Sequence, residues 1–303
     1  MRIAPYSTPA ERAWAWIYRV LCGAIFVFLI APILVIIPLS FNAEPYFTFT
    51  QRMLTLDPDG FSLRWYDNLL TFGMIAPDAP RDGGWWRDMW NNAAWVKAAK
   101  NSVIIGFFST ILATVLGTVA ALGLARPEMP GRKIVMAILI SPMIVPIIIT
   151  ATGLFFFYSA TGLANTYLGV ILAHATLGIP FVIITVTATL IGFDRSLLRA
   201  AASLGAGPVR TFFRIQLPLI TPGVVSGALF AFVTSFDEVV VVLFVGSHEQ
   251  QTIPRQMWNG IREQISPSIL AVATILVVIS IALLTTVELL RRRSERLRGL
   301  SPA

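Results

Sequence analysis

Apolar residues in this chain gather into six long runs, and most polar residues lie between them. A helix needs about 20 consecutive apolar residues to cross the hydrocarbon core of a bilayer. The runs are long enough, and they fall at 17–41, 103–125, 134–158, 167–191, 222–245 and 268–290. The pattern predicts an all-α membrane protein with six transmembrane helices.

The polar segments divide the chain around this membrane domain, which is predicted to extend over 17–290. A polar segment, 1–16, precedes the first run, and a basic tail, 291–303, follows the last. The longest connector is 42–100, and a second polar connector, 192–221, lies between the fourth and fifth runs.

The long connector contains a tryptophan-rich stretch in which Trp86, Trp90 and Ala93 recur at helical spacing. Tryptophan side chains favour the boundary between lipid and water. We expect an interfacial helix at the outer leaflet. An aromatic cage for a sugar or a cation is the alternative.

Local chemistry inside the predicted spans indicates bends and close contacts. Pro142 and Pro146 predict a kink in the third span, since proline cannot continue the helical hydrogen bonding. His174, in the fourth span, is expected to form an interhelical hydrogen bond. Gly223 and Gly227 offer a small-residue face for helix packing in the fifth.

Composition agrees with a membrane protein. Hydrophobic residues make up 56% of the chain and charged residues 13%, and the mean hydropathy is +0.74. A soluble domain carries about 25% charged residues. The net charge of +7 does not indicate nucleic-acid binding, because the basic residues follow the membrane topology instead of clustering on one soluble face.

The distribution of Lys and Arg predicts the orientation. Fifteen of the 23 basic residues lie in the N-terminal stretch up to Arg19, in 126–133, in 192–221 and in the tail. Basic residues concentrate on the cytoplasmic side. Both termini and the connector 192–221 are therefore expected in the cytoplasm, and the connector 42–100 is expected outside. The five arginines of the tail are expected to anchor it to the inner leaflet.

Several kinds of chemistry are disfavoured. One cysteine, Cys22, permits no disulfide within the chain, and the two histidines are not arranged as H-E-x-x-H. No G-x-x-x-x-G-K-[ST] loop is present, so ATP phosphates cannot be held by that device. We therefore predict no catalytic residue, no metal site and no cofactor bound by this chain. The first apolar run is longer than the core of a signal peptide, so we expect the first span to remain as an uncleaved anchor.

The connector from Leu197 to Ile220 reads L-L-R-A-A-A-S-L-G-A-G-P-V-R-T-F-F-R-I-Q-L-P-L-I. It predicts a helix, a turn from Gly205 to Pro208, and a second helix from Val209 that stops at Pro218. Its apolar side chains need cover. The segment is either a re-entrant connector packed on its own bundle or a docking site for a cytoplasmic partner.

Two acids lie near the outer end of the fifth span, in S-F-D-E, and no basic residue within the span neutralises them. An ionised carboxylate in hydrocarbon costs at least about 2.5 kcal/mol, so Asp237 and Glu238 require a watery cavity, a partner or protonation. One interpretation is that one acid faces a translocation path and favours a cationic solute, with Ser235 and Phe236 as neighbours. The other is that both lie at the outer interface or pair with a partner subunit.

The connector resembles the EAA signature of the membrane subunits of bacterial ABC importers. The resemblance implies a coupling helix that seats in a cleft of an ATPase subunit. The residues expected to couple are Arg199, Ala200, Ala201, Leu204, Gly205, Ile215, Leu217 and Pro218. The family usually has Glu where this chain has Arg199, which puts in question the ion pair that the Glu would make.

Three further stretches resemble the second permease subunit of spermidine/putrescine-type importers: F-S-L-R-W-Y from Phe61, S-F-D-E from Ser235, and T-I-P-R-Q-M-W-N-G-I-R-E-Q-I-S-P-S-I-L-A-V-A-T from Thr252. The resemblance implies the type I ABC importer fold in a bacterial inner membrane. Its expected partners are two copies of an ATP-binding subunit, which would use ATP and Mg, a second permease subunit and an external solute-binding protein. The expected cargo is a small cation such as a polyamine.

Other functions remain open at this point. The same machinery could import an opine, an amino-acid derivative or another small solute. A self-sufficient carrier would leave the helical connector without a purpose. An intramembrane enzyme would need a paired nucleophile and base, and the chain offers no such pair that we can name.

Overall fold

The structure is a computed structural model that describes residues 8–126, 128–194, 196–263 and 266–297. Helices account for nearly all of its regular structure. Among the described residues, the one pairing of extended backbone is an isolated antiparallel bridge between Asn42 and Phe61. The all-α prediction is confirmed.

The helices of the first half are α1 (Pro9–Leu39), α2 (Gln51–Leu54), α3 (Arg64–Thr71), α4 (Gly83–Asn92), α5 (Ala94–Leu124), α6 (Arg132–Ile144) and α7 (Ile147–Thr161). Those of the second half are α8 (Tyr167–Ile191), α9 (Ser196–Ser203), α10 (Pro208–Thr211), α11 (Leu217–Asp237), α12 (Val240–Val245), α13 (Ile253–Glu263) and α14 (Ser268–Leu297). A 3-10 turn spans Pro58–Gly60 and a π-helical turn spans Phe212–Gln216.

Four helical stretches of the described chain are long and apolar enough to cross a membrane: α1, α5, α8, and the stretch Pro208–Asp237. The pair α6–α7 is bent by 101° at a short break, and it counts as a fifth if its two helices form one span. The sixth predicted span falls on α14, whose described apolar part, Ser268–Ala282, is shorter. The kink predicted in the third span is thus a sharp bend at Val145 and Pro146, where the helix stops and restarts.

The first helix begins earlier than predicted. Its start is fixed by a capping box in which Thr8 Oγ1 accepts the Glu11 N–H and the Glu11 carboxylate accepts the Thr8 N–H at 2.8 Å. Pro9 occupies the first helical turn, where its missing N–H costs nothing. The described part of the predicted polar segment 1–16 therefore continues the membrane helix.

The chain divides into two compact units. One contains the described residues of Met1–Phe72 and Gly260–Ala303. Within it, Trp65 Nε1 donates to the Asn42 carbonyl at 2.7 Å, and Ser268 Oγ donates to Asn68 Oδ1 at 2.8 Å.

The other unit, Gly73–Asn259, is built around α5, α8 and α11. Small residues let these helices approach closely, as is common in lipid. A Cβ built on Gly227 of α11 would lie 2.8 Å from Val182 Cα of α8, and one on Gly117 of α5 would lie 2.7 Å from Val182 Cβ. Gly223 is likewise buried against Thr185 and Thr189 of α8, so the predicted glycine face of the fifth span is confirmed.

Candidate functional site: the helical connector and the break after α11

The connector begins at a cap. Asp194 accepts the Ser196 N–H at 2.8 Å and the Ser196 hydroxyl at 2.7 Å, immediately before α9. These two hydrogen bonds, with a smaller contribution from the charge of Arg199, hold the pKa of Asp194 below its usual range. Asp194 lies outside the predicted coupling residues, although Asp is a preferred residue at helix starts.

The turn after α9 depends on one glycine. Gly205 has φ +77°, a left-handed backbone conformation that residues with a Cβ rarely adopt. The N–H groups of Leu204, Gly205 and Ala206 donate to the carbonyls of the last turn of α9. The predicted helix and turn are therefore present, with α9 ending at Ser203.

The prediction for Pro218 is wrong. The second helix does not stop there, because α10, the π-helical turn and α11 form one continuous helical stretch, Pro208–Asp237. A proline ring clashes with the carbonyl four residues earlier in an α-helix. Here the wider turn pairs the Leu217 N–H with the Phe212 carbonyl, so the backbone accommodates Pro218 without ending.

The connector exposes an apolar surface. Leu204 is 88% exposed, Val209 70% and Phe213 61%. Arg199, Ala200, Gly205 and Pro218 are also exposed, Ile215 and Leu217 are half-buried, and Ala201 is buried. The predicted coupling residues thus occupy one continuous segment, but they include both supporting and surface positions. We call Leu204, Val209 and Phe213 the apolar tip.

The fifth predicted span is interrupted at the acid pair. Helix α11 ends at Asp237, Glu238 has extended backbone with ψ 125°, and α12 begins at Val240. Glu238 is buried, and its Oε1 accepts the Val241 N–H at 2.9 Å. A carboxylate that satisfies a free N–H at a helix start stabilises the break. A continuous helix over 222–245, as predicted, is therefore wrong at Glu238.

The two acids have different surroundings. Asp237 is exposed at the end of α11, whereas the Glu238 side chain is buried and caps the start of α12. This arrangement separates the two carboxylates that the sequence places side by side.

Ser235 and Phe236 do not join the acids in one cluster. Ser235 is buried, with its Oγ 2.8 Å from His174 Nδ1 of α8 and 2.9 Å from Ser109 Oγ of α5. Phe236 stacks on Phe232 with ring centroids 5.7 Å apart. The interhelical hydrogen bond predicted for His174 is confirmed, and Ser109, which the sequence did not indicate, completes the link among three helices.

The described residues contain no group of three or more His, Cys, Asp or Glu side chains that could hold a metal ion.

Residues 113–297 match the profile of the family described as "Binding-protein-dependent transport system inner membrane component". The chain belongs to this family. It is thus a multi-pass permease component of an ABC importer, that is, a transport subunit.

Relatives of this permease extend over most of its length. It is 32% identical over 271 residues to the spermidine/putrescine transport system permease protein PotC of Haemophilus influenzae, covering 89% of this chain and 95% of the relative. It is 30% identical over 258 residues to the putrescine transport system permease protein PotI of Escherichia coli strain K12, covering 83% and 82%.

Solved structures agree on the fold. One is a bacterial ABC transporter involved in the import of the acidic polysaccharide alginate, with TM-score 0.66, 16% identity, and coverage of 95% of this chain and 99% of the other. Another is the MetNI methionine ABC transporter, with TM-score 0.53, 20% identity, and coverage of 66% and 94%. The permease fold of ABC importers is confirmed.

Proposed function

We propose that this permease forms half of the translocation pathway of an ATP-driven importer in a bacterial inner membrane and that its cargo is a polyamine. In this proposal the apolar tip docks in a cleft of a separate ATP-binding subunit, present in two copies. A second permease subunit and an external solute-binding protein complete the complex. ATP and Mg belong to the partner ATPase.

The exposure of the apolar tip is the main support for docking to a partner. Three large apolar side chains project from a segment that also exposes Arg199, Arg210 and Arg214. Arginines on a connector favour its cytoplasmic side, so this surface faces the compartment where ATP is available. An apolar patch bordered by charge is typical of a protein interface.

The helix that follows supplies a mechanical link. The stretch Pro208–Asp237 has 30 residues and is therefore about 45 Å long, enough to cross the bilayer. One end carries Val209 and Phe213 of the apolar tip, and the other ends at Asp237. Closure of the ATPase pair would move the docked end, and a continuous helix would transmit that movement to the break, which supports switching between two states of the pathway.

The exposure of Asp237 supports the proposal that the cargo is a cation. It is the exposed member of the acid pair at the break, whereas Glu238 is held by the backbone. A carboxylate in a watery cavity of the membrane attracts a protonated amine. The polyamine permeases among the relatives support the same class of cargo.

Cross-linking tests the docking. In a Cys22→Ser background, which removes the one cysteine of the chain, Leu204→Cys should form a cross-link to the ATP-binding subunit in native membranes. Ile75→Cys is the matched control, because it is 84% exposed and lies in the connector predicted to be external. Equal cross-linking of both variants, or none from Leu204→Cys when the ATPase co-purifies, would contradict docking through the apolar tip.

A further inference from the structure

The tryptophan-rich helix α4 is folded onto a defined scaffold. Asp82 caps it by accepting the Gly84 N–H at 2.9 Å and the Trp85 N–H at 3.0 Å. Trp85 is buried and donates its Nε1–H to the Pro77 carbonyl at 3.0 Å. The helix and the loop before it therefore form one ordered unit.

The opposite part of α4 is exposed. Trp86 is 51% exposed and Trp90 is 56% exposed. Residues four apart share a face of an α-helix, so the two rings project together. Two adjacent large aromatic rings at this exposure indicate a surface that contacts another molecule or the lipid.

Lys100 of α5 fixes the position of this face. Its ammonium lies 4.6 Å from the centroid of the Trp90 ring and donates a hydrogen bond to the Trp90 carbonyl. Trp90 is thus held beside the first turns of α5.

The same face of α5 continues as an apolar stripe. Ile104, Phe107 and Ile111 follow Lys100 at helical spacing, and they are 42%, 55% and 45% exposed. Lys100 precedes Ile104 by four residues, a rise of about 6 Å. The polar headgroup layer on each side of the hydrocarbon core is also about 5 to 8 Å thick. If Ile104 begins the hydrocarbon contact, Lys100 and Trp90 lie at the level of the headgroups.

We propose that α4 is a membrane-interface anchor, in which Trp86 and Trp90 insert among phospholipid headgroups and Lys100 binds a lipid phosphate beside Trp90. Tryptophan provides an apolar ring and a polar N–H, which suits this layer, and the lysine provides the opposite charge to the phosphate. The occupant is the bilayer because the exposed face of α4 is continuous with the apolar stripe of a membrane-spanning helix. The anchor would hold the external connector against the surface independently of the cargo.

Site-directed spin labelling tests this placement in the complete importer reconstituted in phospholipid vesicles. A nitroxide on Trp86→Cys, in the Cys22→Ser background, leaves Trp90 and Lys100 intact. Phe107→Cys provides the hydrocarbon reference and Asp78→Cys, an exposed position of the preceding loop, the aqueous reference. The ratio of collisions with oxygen to collisions with a water-soluble nickel chelate should lie between those of the two references.

A second comparison tests the lysine. Lys100→Gln should shift the ratio at position 86 toward the aqueous reference in vesicles that contain an anionic phospholipid, whereas Lys133→Gln, at the start of α6, should not. An unchanged ratio in Lys100→Gln would overturn the assignment of Lys100. A fully aqueous ratio at position 86, or protection that arises only when the solute-binding protein is added, would overturn the lipid anchor.

An independent measurement covers the case in which Trp86→Cys is not recovered in membranes. Phospholipids brominated near the headgroup quench nearby tryptophans, so Trp90→Phe should remove part of the quenching seen in the wild-type protein. Equal quenching of the wild type and Trp90→Phe would also reject the proposal.

Discussion

At the residue scale, the backbone between Asp237 and Glu238 decides what each carboxylate can do. Glu238 is committed to the Val241 N–H, and Asp237 is exposed at the end of α11. Neutralising Asp237 should therefore affect a passing cation without altering a hydrogen bond that maintains the fold.

The first prediction concerns Asp237→Asn. It should raise the KM for spermidine uptake roughly tenfold, which corresponds to about 1.4 kcal/mol, while the amount of assembled complex remains unchanged. Uptake of radiolabelled spermidine into proteoliposomes measures it. Glu249→Gln is the control, since Glu249 is also an exposed acid of the same unit. Identical KM values for wild type and Asp237→Asn would remove this residue from the pathway.

Gly205 gives a second prediction at this scale. Nothing lies within 4 Å of the position of its Cβ, so Gly205→Ala encounters no steric overlap, but its φ of +77° costs an L-residue about 1 to 2 kcal/mol. The variant should weaken stimulation of ATP hydrolysis by loaded binding protein, because the turn that presents the apolar tip is destabilised. Gly207→Ala, two residues later, has equally free space and φ −66°, and should behave as wild type. Equal loss of stimulation in both variants would argue against a role for the left-handed turn.

At the element scale, glycines determine how closely α5, α8 and α11 pack. A Cβ on Gly178 of α8 would lie 2.9 Å from Ala231 Cβ and 3.2 Å from Ala113 Cβ. Gly178→Ala should destabilise the protein by about 1 to 3 kcal/mol through overpacking. Gly153→Ala, in α7, has nothing within 4 Å and should instead stabilise by about 0.5 to 1 kcal/mol, as alanine does in a helix. Thermal unfolding in detergent should show shifts of opposite sign, and shifts of the same sign would contradict this account of the three-helix packing.

The scaffold of α4 gives a pH-dependent prediction. Hydrogen bonds from the Asn92 side chain and from the N–H groups of Ala76 and Ile75 hold the pKa of Asp88 below its usual range. The stabilisation is complete above the ordinary value near 3.8 and is lost as pH falls through the lowered pKa, because a protonated carboxyl is a poorer acceptor.

Hydrogen exchange at Ile75 and Ala76 measures this loss. Relative to the intrinsic rate at each pH, protection of both amides should fall at acid pH in the wild type. Asp88→Asn retains an acceptor oxygen but cannot titrate there, so its protection should not change with pH. A pH dependence that is the same in both proteins would exclude Asp88 as its cause.

Sequence patterns predicted helix α8 with the same bounds as the structure, Tyr167–Ile191. Its start has a signal, Thr166, whose hydroxyl accepts the Gly169 N–H, and its end precedes Gly192. The break between α11 and α12 had no such signal, because the valines after Glu238 continue the apolar run. Hydropathy measures only the preference of side chains for lipid, whereas the break depends on a carboxylate satisfying a backbone N–H.

The connector shows the same limit. Gly205 and the apolar spacing predicted the helix and the turn of the connector. They did not predict the π-helical turn that allows the helix to continue through Pro218. A wider turn depends on backbone pairing between Phe212 and Leu217, which no residue pattern specifies. Likewise, Ser109 became recognisable as a partner of Ser235 only when α5 and α11 were packed together.

At the scale of the whole molecule, the sequence contains no G-x-x-x-x-G-K-[ST] loop, and the 30-residue helical stretch Pro208–Asp237 connects an exposed apolar tip to an exposed carboxylate. In the proposed mechanism these two ends serve one process, in which hydrolysis by a partner drives import of a polyamine.

The most direct test is ATP hydrolysis by the complex purified from its native membrane through a tag on this permease. We expect an ATP-binding subunit and a second permease to co-purify, and spermidine-loaded binding protein to stimulate hydrolysis in wild type more strongly than in Gly205→Ala. Stimulation by a different solute alone would contradict the polyamine assignment. Recovery of this chain without an ATPase, with transport retained, would contradict the importer mechanism itself.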